Sequence, residues 1–252
     1  MKVFFAGAGP GDPELLTVRA ERILRNCRIC IYAGSLVSPA VLELIPQDAE
    51  RYNSAGMSLE EIISVCRDAQ ERGIDVVRLH SGDPSIYGAI REQMNELDRL
   101  GVAYEVIPGV SAFQASAAAL QAELTAPEIS QAIILARTSG RTALPAEQDL
   151  ENLARTRATL CLFLSVDKME AIASRLTEFY GKDCPAAVVY HASWPDQKIV
   201  RGALEEIAAK AREAGIGRTS LIIVGRALAR AIPASKLYDA KFTHQFRKGE
   251  SA

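Results

Sequence analysis

The chain has 252 residues, a formal net charge of −2, 48% hydrophobic residues and 24% charged residues. This composition is typical of a globular protein and excludes a disordered chain. The slightly negative charge argues against a nucleic-acid-binding protein, which normally presents a basic face. No apolar run approaches the ~20 residues of a membrane-spanning helix. The first seven residues lead directly into a strand and lack the pattern of a signal peptide.

The five cysteines form an odd set without regular spacing, which predicts free thiols in a reducing cytoplasm. Cys27 and Cys30 have the C-x-x-C spacing of redox and metal sites. However, Cys30 leads into Ile31-Tyr32, which is typical of a strand interior. No second pair and no nearby histidine completes a zinc site. We therefore expect buried free thiols and no bound metal.

Strands alternate with helices over the first half of the chain. The predicted strands cover residues 3–6, 29–33, 76–79 and 104–107. The predicted helices start at Asp12-Pro13 or at Thr17, at the capping box 58–61, after Pro84 and near residue 115. This alternation indicates right-handed crossovers and a parallel sheet.

The stretch 76–88 is the predicted centre of the functional site. Its first residues are apolar and end a buried strand, and Ser81-Gly82-Asp83-Pro84 then forms a tight turn. Asp83 suits a helix cap and Pro84 a first helical position, and apolar residues recur at helical spacing from Ile86. Ligands of open parallel sheets bind beyond the carboxyl ends of the strands. We therefore expect a small molecule at this turn.

The pattern changes at residues 123–127, where we predict a boundary between an N-terminal domain (1–122) and a C-terminal domain (123–252). Beyond it, the predicted strands cover residues 133–136, 160–164, 187–190, 199–202 and 221–224. Helices are predicted near 168–179 and 205–214, a polar loop at 138–146, and a hairpin turn at Asp196-Gln197. The sequence thus predicts an α/β protein with a parallel N-terminal sheet, a mixed C-terminal sheet and an irregular tail.

The glycine-rich turn after the first strand, Gly7-Ala8-Gly9-Pro10-Gly11, does not fit a dinucleotide-binding motif. Asp12 stands where G-x-G-x-x-G needs its third glycine, and two prolines remove backbone donors that a pyrophosphate needs. The second strand ends without an acid for a ribose. No Gly-Lys-Ser/Thr follows, which excludes a P-loop.

Three motifs in this order, residues 7–13, 78–84 and 108–111, resemble those of the tetrapyrrole methylases. Those enzymes transfer methyl groups from S-adenosylmethionine during corrinoid and sirohaem synthesis. Segments 32–37, 130–135, 192–196 and 236–238 narrow the resemblance to the branch that methylates carbon 11 of precorrin-4 or cobalt-precorrin-4. The resemblance extends through Gly249. It implies two α/β domains with a ligand cleft between them, in a homodimer.

The resemblance also implies S-adenosylmethionine contacts from both domains. These are Pro10, Ser81, Gly82, Asp83, Ile86, Tyr87, Ser111 and Ala112, followed by Leu164, Ala187, Ala192, Ser220 and Leu221. The related uroporphyrinogen methylases carry an arginine directly after the glycine that matches Gly88. This chain has Ala89 there, which fits a different tetrapyrrole substrate.

Two residues of the central motif are candidates for catalysis. Asp83 either holds a ribose hydroxyl or the cationic end of the cofactor, or is a plain helix cap. His80 either assists proton removal after transfer or is hydrogen-bonded packing. Tyr87 and Trp194 either stack on the adenine or the macrocycle, or pack in the domain interface.

A precorrin carries many carboxylates, so basic side chains are candidates for binding it. They are Arg78, Arg91, Arg137, Arg141, Lys198 and Arg201. The alternative for each is a solvated surface charge. Arg137 and Arg141 are favoured because they lie in or next to the polar loop after a strand.

Two other functions stay open at the level of sequence. The first is methylation of another corrin position or of uroporphyrinogen. The second is a non-catalytic module that binds a tetrapyrrole or adenosylmethionine. No feature of the sequence decides whether the substrate already contains cobalt.

Overall fold

The computed structural model describes residues 1–140, 142–231, 233–235, 237 and 239–248. Arg141, a predicted substrate ligand, lies outside the described residues. Two compact units are present. The first unit contains Met1–Ser116 and His191–Gln197, and the second contains the described residues of Ala117–Tyr190 and Lys198–Ala252. The domain boundary between residues 122 and 123 stays a prediction.

The first unit is built on a five-stranded parallel sheet. Its strands are β1 (Lys2–Gly7), β2 (Ile29–Tyr32), β3 (Glu50–Asn53), β4 (Val76–His80) and β5 (Ala103–Ile107). Their order in the sheet is β3-β2-β4-β1-β5, and every pair is parallel. The predicted parallel sheet is therefore confirmed.

Helices cover both faces of this sheet. They are α1 (Val18–Arg25), α2 (Pro39–Leu42), α3 (Leu59–Glu71) and α4 (Arg91–Arg99). The next helix, α5 (Ala112–Ala119), spans the division between the two units at Ser116. Apolar residues of α3 and α4 pack with Phe5, Ile29 and Ile31 in one core, and those of α1 and α2 pack with Val77 and Leu79 in another. A sheet buried on both faces explains why β4 is buried at every position, Arg78 and His80 included.

Local capping sets where two of these helices begin. Thr17 Oγ1 accepts a hydrogen bond from Ala20 N at 3.2 Å and starts α1, whereas Asp12 caps only a short 3₁₀ turn before it. The predicted capping box of α3 is confirmed, with Ser58 N donating to Glu61 Oε2 at 2.7 Å and Glu61 N donating to Ser58 Oγ at 3.3 Å.

The prediction of a helix directly after Pro84 is wrong, because α4 starts only at Arg91. Tyr87 and Ala89 have left-handed backbone conformations, with φ of 55° and 48°, which no α-helix accommodates. A Cβ added at Gly88 would lie 2.1 Å from Pro84 O, so the chain doubles back here before the helix begins.

The second unit contains the predicted mixed sheet. Its strands are β6 (Ile133–Arg137), β7 (Thr159–Phe163), β8 (Pro185–Tyr190), β9 (Lys198–Ala203) and β10 (Ser220–Val224), in the order β6-β7-β10-β8-β9. Only β6 and β7 pair in parallel; the other pairs are antiparallel. The predicted hairpin is confirmed by the β8–β9 pairing, although the seven residues His191–Gln197 of its connection belong to the first unit.

In the part of the second unit that the structure describes, three helices pack on one face of the sheet. They are α6 (Leu150–Ala154), α7 (Met169–Tyr180) and α8 (Ile207–Glu213). These helices share one core with every second residue of the strands, for example Leu160 and Leu162 on β7 and Ala186 and Val188 on β8. Residues between these positions lie on the opposite face.

All five cysteines are buried free thiols, as predicted from their spacing. None of the helices within the described ranges has both the length and the apolar character needed to cross a membrane.

Candidate functional site

The carboxyl ends of β1, β4 and β5 are neighbours in the first sheet, and a glycine-containing turn follows each of them. Gly7 at the end of β1 is level with His80 on β4, and Ala6 is level with Ile107 on β5. The strand register therefore brings the turns 7–13, 81–84 and 108–111 together, in the position where an open parallel sheet binds its ligands.

The three turns pack backbone against backbone. Gly82 N donates a hydrogen bond to Gly9 O at 2.8 Å, and both residues have left-handed φ angles, 62° and 66°. A Cβ on Gly109 would lie 2.1 Å from Gly82 O, and one on Gly7 would lie 2.6 Å from Gly82 O. Only glycine permits turns this close together.

Asp83 joins the central turn to the turn after β5. Its Oδ1 accepts a hydrogen bond from Ser85 N at 2.7 Å, and its Oδ2 accepts one from Gly109 N at 2.9 Å. The interpretation of Asp83 as a plain helix cap is wrong, because no helix begins here and one carboxylate oxygen reaches a turn 26 residues away along the chain.

Four more predicted cofactor contacts lie around this turn. Ile86 is half-buried, and its N–H donates to Asp83 O at 3.1 Å. Tyr87 is 46% exposed. Ser111 is buried, and its N–H donates to Gln114 Oε1 at 2.8 Å just before Ala112 begins α5. A Cβ built on Gly82 would have Ser111 Cα as its nearest neighbour, at 3.6 Å.

The turn after β1 is held by side chains from distant segments. Trp194 Nε1 donates to Pro10 O at 2.7 Å, and Asp12 N donates to Ser193 Oγ at 3.0 Å. Ser38 Oγ donates to Gly11 O. Trp194 thus packs within the first unit; its alternative role, stacking on a ligand, has no support among these contacts.

His80 is buried, with 3% of its surface exposed, and no described group forms a hydrogen bond with its Nε2. The interpretation as hydrogen-bonded packing therefore does not hold for Nε2. Burial lowers the pKa of His80 to about 3 from its usual 6.5, with a smaller contribution from the positive charge of Arg78. The imidazole is therefore neutral at pH 7. Its part in proton removal stays a prediction.

Arg78 is buried, so the alternative of a solvated surface charge is wrong for this residue. Its Nε donates to Gln93 Oε1 at 3.0 Å and its Nη1 to Ile31 O at 3.3 Å. Burial lowers its pKa to about 10. Gln93 Nε2 in turn donates to Ala89 O at 2.9 Å, so this buried pair also fixes the segment before α4.

The other basic candidates lie at the surface or at its edge. Arg137 donates to Thr142 O at 3.1 Å and to Ala143 O at 3.2 Å, which folds the polar loop back on its strand. Arg201 donates to Leu120 O, and Lys198 Nζ donates to Ala214 O at 3.2 Å. Arg91 is exposed at the first position of α4. Substrate contacts by Arg91 and Arg137 stay predictions.

The predicted contacts from the C-terminal half occupy three kinds of position. Leu164 follows β7 with φ of 52° and is 75% exposed. Ala187 and Leu221 are buried on the face of the second sheet opposite its helices, and Ser220 begins β10. Ala192 is buried and belongs to the first unit.

Two features of the site were not predicted from the sequence. Ser38 and Ser193 supply side-chain oxygens to the turn after β1; Ser38 belongs to none of the quoted motifs, and Ser193, although it lies in segment 192–196, had no predicted role. The hydrogen bond between Gly109 N and Asp83 could not be predicted from the local sequence either, although both residues fall in the quoted motifs. Within the described ranges, no group of three or more His, Cys, Asp or Glu residues is placed to hold a metal ion.

Comparison with known proteins gives consistent matches over nearly the whole chain. The chain is 50% identical over 249 residues to the cobalt-precorrin-4 C(11)-methyltransferase of Methanocaldococcus jannaschii, covering 98% of this chain and 96% of that protein. It is 49% identical over 251 residues to the precorrin-4 C(11)-methyltransferase of Pseudomonas aeruginosa, covering 99% of this chain and 100% of that protein.

Solved structures agree with these sequence matches. A cobalt precorrin-4 methyltransferase aligns with a TM-score of 0.88 and 41% identity, covering 90% of this chain and 96% of that chain. The uroporphyrin-III C-methyltransferase of Thermus thermophilus, complexed with S-adenyl homocysteine, aligns with a TM-score of 0.77 and 31% identity, covering 90% and 99%. The family model for tetrapyrrole (corrin/porphyrin) methylases matches residues 2–208. The chain therefore belongs to the tetrapyrrole methylase family.

Proposed function

We propose that the chain is an S-adenosylmethionine-dependent methyltransferase that methylates carbon 11 of precorrin-4 or cobalt-precorrin-4 in cobalamin biosynthesis. The observation that carries this proposal is the identity of about half of all residues, over nearly the full length, with two relatives named for that reaction. The match to the uroporphyrin-III enzyme is lower, at 31%, which favours a precorrin-4 substrate over uroporphyrinogen.

The residues at the three turns fit S-adenosylmethionine. Gly7 and Gly109 stand where a Cβ would overlap the backbone of a neighbouring turn. Because no side chain covers the main chain at these two positions, its N–H and C=O groups lie close to any molecule bound beyond the ends of the strands. Ser81, Ile86 and the half-exposed Tyr87 add a hydroxyl, an apolar surface and an aromatic ring at the same edge. The solved relative with S-adenyl homocysteine supports the same cofactor class.

When bound, S-adenosylmethionine supplies a methyl group that its sulfonium already activates, and the electron-rich ring carbon of the tetrapyrrole is the nucleophile. The chain therefore has to align the two molecules and exclude water. Asp83 holds two turns in register through backbone amides. Its carboxylate keeps further lone pairs for a ribose hydroxyl.

The proposal includes a homodimer in the cytoplasm. Five buried free thiols are compatible with a reducing compartment. Analytical ultracentrifugation tests the dimer, since a monomer at micromolar concentration would contradict it.

Incubation with ¹³C-methyl-labelled S-adenosylmethionine and each candidate tetrapyrrole tests the reaction. We expect label at carbon 11 of precorrin-4, and parallel reactions with metal-free and cobalt-loaded substrate identify the preferred form. Label at carbon 17 or carbon 20, or on uroporphyrinogen alone, would assign another reaction within the family. Binding of S-adenosylhomocysteine without labelling of any tetrapyrrole would favour a non-catalytic module.

A further inference from the structure

The turn after β1 has few backbone hydrogen-bond donors of its own. Pro10 and Pro13 both lack an N–H, and they flank Gly11 and Asp12. A turn with few donors of its own depends on partners from elsewhere in the fold.

Those partners form hydrogen bonds with successive backbone groups of the turn. Gly9 O accepts from Gly82 N at 2.8 Å, and Pro10 O accepts from Trp194 Nε1 at 2.7 Å. Gly11 O accepts from Ser38 Oγ, and Asp12 N donates to Ser193 Oγ at 3.0 Å. Two of these four contacts come from the segment His191–Gln197, which we name the strap.

Trp194 also determines which residue can follow Pro10. A Cβ added at Gly11 would lie 2.0 Å from Trp194 Cδ1 and 2.2 Å from Trp194 Nε1. Gly11 is therefore a glycine because the indole packs directly on its backbone. Both the shape and the hydrogen bonding of the turn thus depend on one side chain 184 residues from Pro10.

The strap is braced internally, so Trp194 has a fixed position. His191 stacks on the indole, with ring centroids 4.4 Å apart and an interplanar angle of 25°. Asp196 Oδ1 lies 2.9 Å from His191 Nδ1. Ser193 N donates to Gln197 Oε1 at 2.8 Å, and Trp194 N donates to His191 O at 2.9 Å.

We propose that Trp194 is a positioning residue for the binding of S-adenosylmethionine. It fixes the Gly9-Pro10-Gly11 turn, which holds Gly82 and through it the central turn at Asp83. This inference rests on the proposed function, because it assigns the cofactor to those turns. Trp194 itself needs no contact with the ligand.

Calorimetric titration of the full chain with S-adenosylhomocysteine tests the inference. Trp194→Phe keeps an aromatic ring on Gly11 but removes the donor to Pro10 O. We expect it to weaken binding about five- to tenfold, the effect of one lost hydrogen bond that orients the site. In the methyltransferase assay, KM for S-adenosylmethionine should rise by a similar factor, with kcat changed less than twofold.

Tyr180→Phe is the matched control. Tyr180 is a buried aromatic side chain of the second unit whose hydroxyl donates to Ala158 O at 2.6 Å. Its substitution also removes one aromatic donor from a backbone carbonyl, but outside the turns. We expect it to lower Tm with unchanged affinity for S-adenosylhomocysteine.

A double-mutant cycle provides a second measurement. Gly11→Ala should weaken binding more than tenfold with Trp194 present, but much less in a Trp194→Ala background, where the space is open. Strictly multiplicative effects, or wild-type affinity in a folded Trp194→Phe variant, would overturn the inference. Failure of the cofactor assignment looks different, since the wild-type chain would then not bind S-adenosylhomocysteine at all, and the inference would fall with it. A chain that binds S-adenosylhomocysteine but labels another carbon, or no tetrapyrrole, would overturn the proposed reaction and leave the role of Trp194 standing.

Discussion

Asp83 illustrates how one side chain can hold two turns whose backbones are in contact. Each of its oxygens accepts a different backbone N–H, from Ser85 and from Gly109. An asparagine would offer a single acceptor oxygen and place its own NH₂ against the other amide. The second amide would then be left without a partner in a half-buried site.

We therefore expect Asp83→Asn to lower the free energy of unfolding by about 1–3 kcal/mol and to weaken binding of S-adenosylhomocysteine. Urea denaturation and calorimetry measure the two effects. Asp12→Asn is the control. The carboxylate of Asp12 accepts a hydrogen bond from Glu14 N at its Oδ1, at 2.9 Å, and the amide oxygen of an asparagine can accept the same bond. Equal losses in the two variants would contradict the bridging role of Asp83.

The burial of His80 predicts how the free energy of unfolding depends on pH. Its pKa in the folded chain is about 3, below the usual 6.5, so between these values the unfolded state binds the extra proton. The stability associated with neutral His80 is present above about pH 6.5 and is lost as the pH falls towards about 3, by about 1.4 kcal/mol per pH unit.

Urea denaturation of the wild type and of His80→Gln between about pH 7 and pH 4 measures this contribution. Glutamine does not titrate, so we expect a slope for the variant that is shallower by about 1.4 kcal/mol per pH unit. Parallel curves would show that His80 is solvated in the folded chain.

At the scale of elements, the start of α4 depends on a buried polar pair. Gln93, in the first turn of α4, accepts from Arg78 on β4 and donates to Ala89 O. This connection joins a strand, a helix and the left-handed segment before it. The apolar spacing from Ile86 predicted that the helix starts at Pro84, because periodicity registers apolar positions and not the backbone conformation of Tyr87 and Ala89.

We expect Gln93→Leu to lower the free energy of unfolding by about 1–3 kcal/mol, because Arg78 Nε would be left buried without its acceptor. Gln70→Leu is the control: Gln70 is exposed on α3, and its contact with Leu100 O is long, at 3.5 Å. It should change stability by less than about 0.5 kcal/mol. Similar effects of the two substitutions in urea denaturation would contradict the account of α4.

Strands and helices with local signals could be predicted from the sequence. The central strands of both sheets are rich in apolar residues, although β4 also carries Arg78 and His80, and α3 begins with a capping box that the structure retains. The edge strand β3, Glu50–Asn53, has no such signal, because its residues are polar and alternate between half-buried and exposed. β3 could be predicted only from its pairing with the neighbouring strand β2.

At the scale of the whole molecule, the contacts that shape the site join residues far apart in the chain. Trp194 and Pro10 are separated by 184 residues, and a hydrogen bond at that distance leaves no periodic pattern in the sequence. The motifs identified which turns matter. They did not predict that the connection between β8 and β9 belongs to the first unit and holds one of those turns.

We propose that the joined turns after β1, β4 and β5 bind S-adenosylmethionine, and a crystal structure of the full chain with S-adenosylhomocysteine is the decisive measurement. We expect the ligand to lie against residues 9–11, 81–87 and 109–112, with the contacts of Asp83 and Trp194 unchanged. A ligand bound away from these turns, or a dinucleotide in its place, would rule out this binding site.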